Sequence, residues 1–205
     1  LVGLAIGALL VGTPLWLGAG LLVTALHEFG HAAITWLTPG RVVAIRVHAN
    51  GGGTTDARDD EDGQTGVLFL LAGYPTPPLL GLAAVEAAHH GWTTAGLWAA
   101  VACLVAVLLL MRNWFGLGFA FGVVAALGAF TWYAPAGWRP LALWSLAWLL
   151  LLGGVRAAIE QYQRGGEQDA DSLARLSVAQ AWFWRGLFLV VSVGAAAGGA
   201  WVMST

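Results

Sequence analysis

At 205 residues, 59% of them hydrophobic and 10% charged, with a mean hydropathy of +0.75, this chain is too apolar for a single water-soluble core. Ordinary soluble domains carry about 25% charged residues, so lipid must solvate much of the surface. The net charge is −2 and every positive charge is an arginine, which gives no hint of nucleic-acid binding, since that would call for a basic patch. Cys103 is the single cysteine; it excludes an intramolecular disulfide framework, and its place in an apolar run suits packing.

A membrane-spanning helix needs roughly 20 mostly apolar residues. Seven apolar stretches meet or approach that length: 1–13, 15–37, 67–88, 94–111, 116–133, 141–159 and 182–203. The first is short, and Pro14 makes it either a separate piece or the start of one long kinked segment. A chain that opens on leucine is expected to lack its initiator or a leading segment. With no charged lead-in, residues 1–10 are not expected to be a removable signal peptide. The two longest polar stretches are the hairpin and loop at 38–66 and the connection at 161–181. The expected fold is therefore an all-α polytopic membrane protein of about six or seven transmembrane helices, one integral-membrane domain over 1–205, with a short β-hairpin on the cytoplasmic side.

Arginine placement sets the orientation. Arg41, Arg46, Arg58, Arg112, Arg156, Arg164, Arg175 and Arg185 fall on one side of alternating spans, and Arg139 on the other. The arginine-rich side is expected to be cytoplasmic in a multi-pass cell-membrane protein. Trp92, Trp114, Trp132, Trp138 and Trp182 lie near span ends, where an interfacial aromatic belt belongs. The alanine, glycine and arginine bias points to a bacterium of high genomic GC content.

The second span contains LHEFGHA, residues 26–32. His27 and His31 are four apart, so on a helix they share a face one turn apart. That spacing lets two imidazoles hold one zinc ion, with Glu28 beside them to take a proton from water at the open coordination position. The carboxylate could then pass the proton to a leaving amine. Three ionisable groups within five residues of a span cost about 2.5–3.5 kcal/mol each on insertion scales. They need a compensating partner, and a divalent cation is one. The alternative is hydrogen bonding to neighbouring helices without metal.

Around HEFGH the sequence resembles the site-2 protease family of membrane-embedded metallopeptidases, and within it the compact bacterial branch without a PDZ domain. GRVVAIRVHANGGGTT (40–55) is similar to the family's short strand pair, LAGYPTPPLLG (71–81) to its AGY-then-proline segment, MRNWFG (111–116) to its Arg-Asn element, and QDADSLARLS (168–177) to an element before the last span. The resemblance implies zinc-dependent cleavage of a substrate's transmembrane segment in or beside the bilayer. It implies as partners a transmembrane protein substrate and the lipid bilayer.

A catalytic zinc usually has three protein ligands plus water. The family's Leu-Asp-Gly setting for the third ligand has no counterpart here. Asp169 is the preferred ligand, because it begins the element that opens a helix before the last span, on the same membrane side as the end of the second span. Asp171 is the second choice; capping of that helix is the alternative role for either. Asn113 is a candidate for holding a substrate carbonyl or the transition-state oxygen, or else a helix cap. Arg112 reads as an anchor, with Asp169, Asp171 or Glu167 as possible partners.

Residues 42–47 are β-branched and alternating, 50–53 is a turn signal and 54–55 begins a return strand. Such a hairpin either adds a strand to an unwound substrate or is merely structural. Tyr74-Pro75-Thr76-Pro77-Pro78 must distort the third span. His48, His89 and His90 are expected at the surface, and the acidic run at 59–62 in solvent. Two other classes of function remain: an inactive relative that binds membrane partners, against which the intact Glu28 argues, and a membrane transporter, for which few polar groups line the spans.

Overall fold

The computed structural model describes residues 1–38, 41–58, 63–163 and 168–205, with backbone alone at 41–43, 58 and 63–65. The acidic residues Asp59, Asp60 and Asp62 lie outside the described residues, as do Arg164 and Glu167. The elements in chain order are α1 (Val2–Gly12), α2 (Trp16–Leu37), β1 (Arg41–Val47), β2 (Gly53–Arg58), α3 (Gly63–Ala72), α4 (Thr76–His89), α5 (Thr93–Leu110), α6 (Trp114–Tyr133), α7 (Arg139–Glu160), α8 (Asp169–Leu176) and α9 (Ala181–Ser204).

Among the described residues, five helices are long and apolar enough to cross a membrane: α2, α5, α6, α7 with the short turn before it, and α9. The expected third span is a bent pair, with α3 and α4 meeting at 54° across Gly73–Pro75. Prolines 75, 77 and 78 explain the break, since each lacks a donor and its ring clashes with the preceding turn. Counting that pair as one span gives six. The stretch at 1–13 forms α1, a separate apolar helix of 11 residues that ends before Pro14. Its Gly3 and Gly7 are buried against α7, where added Cβ atoms would fall 2.5 and 2.7 Å from Cβ of Trp144 and Trp148. Small residues four apart permit this close helix contact without any apolar driving force from water.

Helix α7 is the central post. Leu143, Ala147, Trp148 and Leu151 are buried, and α1, α4 and α9 pack around it. The α5–α6 pair is peripheral, and Phe121, Trp132 and Val190 project outward with many other large apolar side chains. On a span these face lipid rather than water. Trp92, Trp114, Trp132, Trp138 and Trp182 are all exposed at or near helix ends.

The hairpin is antiparallel, with Ile45 opposite Thr55 and Val47 opposite Gly53, and a bulge between Val42 and Ala44. It turns through 48–52, closed by His48 N–H to the Gly52 carbonyl at 2.8 Å. The turn lies against the middle of α2, because the Thr24 hydroxyl donates to the Gly51 carbonyl at 3.0 Å. The hairpin therefore runs back along α2 from the helix end toward the histidines. On its other side β1 bridges to Met111, and Arg112 N–H donates to the Ile45 carbonyl at 3.0 Å. Arg46 pairs with Asp56 across the strands.

Candidate metal centre

Helical spacing puts His27 and His31 on one face of α2. Their Nε2 atoms are 3.2 Å apart. The start of α8 brings Asp169 to the same point, with Oδ2 3.2 Å from Nε2 of His27 and 3.3 Å from Nε2 of His31. These three atoms form a nearly equilateral triangle. Zinc bonds of ~2.0–2.1 Å at tetrahedral angles separate donor atoms by ~3.3–3.4 Å, so the triangle has the dimensions of one face of a zinc tetrahedron.

The chemistry of the donors agrees with the geometry. Nδ1 of His31 lies 2.7 Å from the Phe69 carbonyl. A carbonyl only accepts, so Nδ1 carries the proton and Nε2 offers a lone pair. Oδ2 of Asp169 is buried, with no N–H or O–H group aligned on it. The Nε2 lone pair of His31 and Oδ2 of Asp169, 3.3 Å apart, repel each other unless a proton or a cation lies between them. An aspartate carboxyl is ordinarily ionised at neutral pH, the form a metal ligand needs. His27, His31 and Asp169 are the one such cluster of ligand-type side chains among the described residues.

Asp171 is committed elsewhere. It accepts from the Gln168 N–H in a capping box at the start of α8 and pairs with Arg185 at 2.8 Å. The capping role thus goes to Asp171, and Asp169 is left to face the imidazoles.

Glu28 is buried beside the triangle. The Thr55 hydroxyl lies 2.7 Å from its Oε2 and 3.0 Å from its main-chain carbonyl, so the return strand orients the carboxylate. Gly53 makes that approach possible, since a Cβ there would fall 2.6 Å from Oε1 of Glu28. Gly73, at the break between α3 and α4, does the same for the ligands. A Cβ on Gly73 would come within 2.6 Å of Nε2 of both His27 and His31. Gly73→Ala is therefore expected to displace the imidazoles and lower zinc affinity at least tenfold, with helix content by circular dichroism unchanged. Misplacements near 1 Å commonly cost about 10²-fold in function.

Tyr74 follows at once, buried, with its ring edge-on to His27 at 4.6 Å and stacked on Phe188 at 4.8 Å. Its hydroxyl donates to Oε1 of Gln168 at 3.3 Å. A cleft of about 190 Å³ opens in front of these groups, walled by α2, the hairpin turn, the α3–α4 break, α7 and Gln168–Asp169.

Asn113 lies at the head of α6. Its side-chain N–H donates to the Val47 carbonyl at 2.7 Å and its Oδ1 accepts from the Val47 N–H at 3.2 Å. The carboxamide thus continues the pairing of β1 rather than capping α6. Arg112 donates to the Leu109 and Met111 carbonyls at the end of α5, which is the anchor reading. His48, His89 and His90 are exposed.

Sequence reasoning placed Thr55 in a strand pair, and Gly73 and Tyr74 in the AGY-then-proline segment of a distorted span, without giving any of the three a role at the site. A glycine–tyrosine pair beside three prolines in an apolar run was a usable signal for Gly73 and Tyr74. The Phe69 carbonyl carries no side-chain signal at all.

A polytopic membrane protein with two histidines of an HExxH helix and a distant carboxylate converging on one point belongs to the class of membrane-embedded metallopeptidase folds. A family model described as Peptidase M50B-like matches residues 1–199, and the chain belongs to that family, one of the site-2 proteases. No curated protein and no solved structure matches the chain.

Proposed function

We propose that the protein is a zinc-dependent intramembrane endopeptidase that hydrolyses peptide bonds in or near transmembrane segments of other membrane proteins. The observation that carries this reading is the triangle of His27, His31 and Asp169 donor atoms with Glu28 buried at its side. A zinc ion held by those three residues supplies an acidified water and a Lewis acid for the substrate carbonyl. Glu28 takes a proton from the attacking water as the water oxygen bonds to the carbonyl carbon and the carbonyl oxygen gains charge. On collapse the C–N bond breaks and Glu28 returns the proton to the leaving amine.

A peptide bond inside a helix is shielded by the helix's own hydrogen bonds, so the substrate must be extended. The hairpin supports this role. One edge of β1 is taken by Met111 and Arg112, and the outer edge of β2 has no strand partner among the described residues. An extended segment laid along β2 would pass Thr55 and Glu28. Asn113 acts here as a positioning residue, holding Val47 and through it the hairpin. Asn113→Ala removes two hydrogen bonds worth about 1–3 kcal/mol together. It is expected to lower kcat/KM roughly tenfold, with zinc content unchanged, in a cleavage assay paired with metal analysis.

The clustering of arginines on the hairpin side supports an active site toward the cytoplasm of a bacterial cell. The test of the function is direct. Wild-type protein purified in detergent is incubated with single-span test proteins. Cleavage that stops on chelation and returns with zinc supports the reading; cleavage indifferent to chelation, or none from zinc-loaded protein, contradicts it.

A further inference from the structure

Beside a Lewis acid, the proposed reaction gains from a hydrogen-bond donor for the carbonyl oxygen as its charge grows, and both polar atoms of the Asn113 carboxamide are engaged by Val47. Tyr74 meets the requirements of such a donor. It lines the same cleft as His27, Glu28 and Asp169. Its ring is held on two sides, by His27 edge-on and by Phe188 in a stack, so its hydroxyl is fixed in place before substrate arrives. Gly73 lets this stretch of chain press against both imidazoles. The hydroxyl's bond to Gln168 is long, at 3.3 Å. A hydrogen bond of that length can be exchanged for a shorter, charge-assisted one.

Resting on the proteolytic reading above, we infer that Tyr74 is a further catalytic residue, whose O–H donates to the substrate carbonyl oxygen as the water adds. No proton is transferred from Tyr74. The phenol stabilises the charge that the carbonyl π pair delivers to oxygen, and releases it when the C–N bond breaks. A donor of this kind works because it is fixed in place and points at charge that exists only during the reaction.

The test uses Tyr74→Phe, which keeps the ring contacts with His27 and Phe188 and removes only the hydroxyl. The expected result is a kcat roughly 10²-fold lower, the scale for loss of one such donor, with KM and zinc content unchanged. Affinity for a phosphinic peptide, a tetrahedral mimic of the attacked carbonyl, falls in parallel. Affinity for intact substrate, compared between Glu28→Gln and the double variant Glu28→Gln, Tyr74→Phe, does not change. Wild-type kcat and mimic affinity in Tyr74→Phe would overturn the inference. So would a loss of zinc in step with rate, which would assign the hydroxyl to holding Gln168 and Asp169. Those outcomes leave wild-type cleavage intact and are distinct from failure of the proteolytic reading, in which zinc-loaded wild type neither cuts nor binds the mimic.

Discussion

Glu28→Gln is expected to lower peptide cleavage by roughly 10²–10⁴-fold, the usual worth of a positioned general base, while bound zinc stays at one ion per chain. The substitution is close to isosteric. A glutamine carbonyl can still accept from the Thr55 hydroxyl, which now lies 2.7 Å from Oε2, and the close approach of Gly53 is undisturbed. What the amide cannot do is take a proton from water or return one to the leaving amine. Rate and metal should therefore separate: cleavage of a single-span test protein disappears, and elemental analysis still finds the zinc. Cutting by Glu28→Gln at a wild-type rate would remove the carboxylate from the mechanism.

Asp169→Ala should do the reverse and lose the metal itself. With two imidazoles left, the site has one ligand fewer than a catalytic zinc ordinarily keeps. Mutating groups that merely support a ligand costs 10–100-fold in affinity, so direct loss of one should exceed about 10²-fold. Among the described residues, the carboxyl is also the only negative charge in contact with both Nε2 atoms. Asp171→Asn is the informative partner variant. It weakens the α8 capping box and the Arg185 pair, which should lower thermal stability by about 1–3 kcal/mol and leave zinc bound. Full metal and activity in Asp169→Ala would show that another group is the third ligand.

Much of this was legible in the chain. Hydropathy located the helices because lipid demands long apolar runs, and the prolines at 75, 77 and 78 announced the break between α3 and α4. HEFGH named its own chemistry through helical spacing. The stretch at 1–13 was ambiguous, since an apolar run ended by Pro14 reads alike as a separate piece and as the start of one kinked segment. The break at 13–15 and the seating of α1 on Trp144 and Trp148 distinguish the two. Asp169 and Asp171 are two residues apart at the start of one helix, and composition treats them alike. What separates them is tertiary: Arg185, from α9, draws Asp171 away. Asn113 is a similar case, because a pairing with Val47 across the fold leaves no local pattern. Tyr74 was visible as a helix-breaking segment, but its place against His27 depends on a glycine contact formed between separate helices.

The claim on which everything rests is that His27, His31 and Asp169 hold a single zinc ion. X-ray absorption at the zinc edge of the purified protein tests it most directly. The expected spectrum has only nitrogen and oxygen neighbours at ~2.0–2.1 Å, with two imidazole signatures, and Asp169→Asn changes it. Zinc-free protein, or a sulfur neighbour near ~2.3 Å, or a spectrum indifferent to Asp169→Asn, would contradict the account.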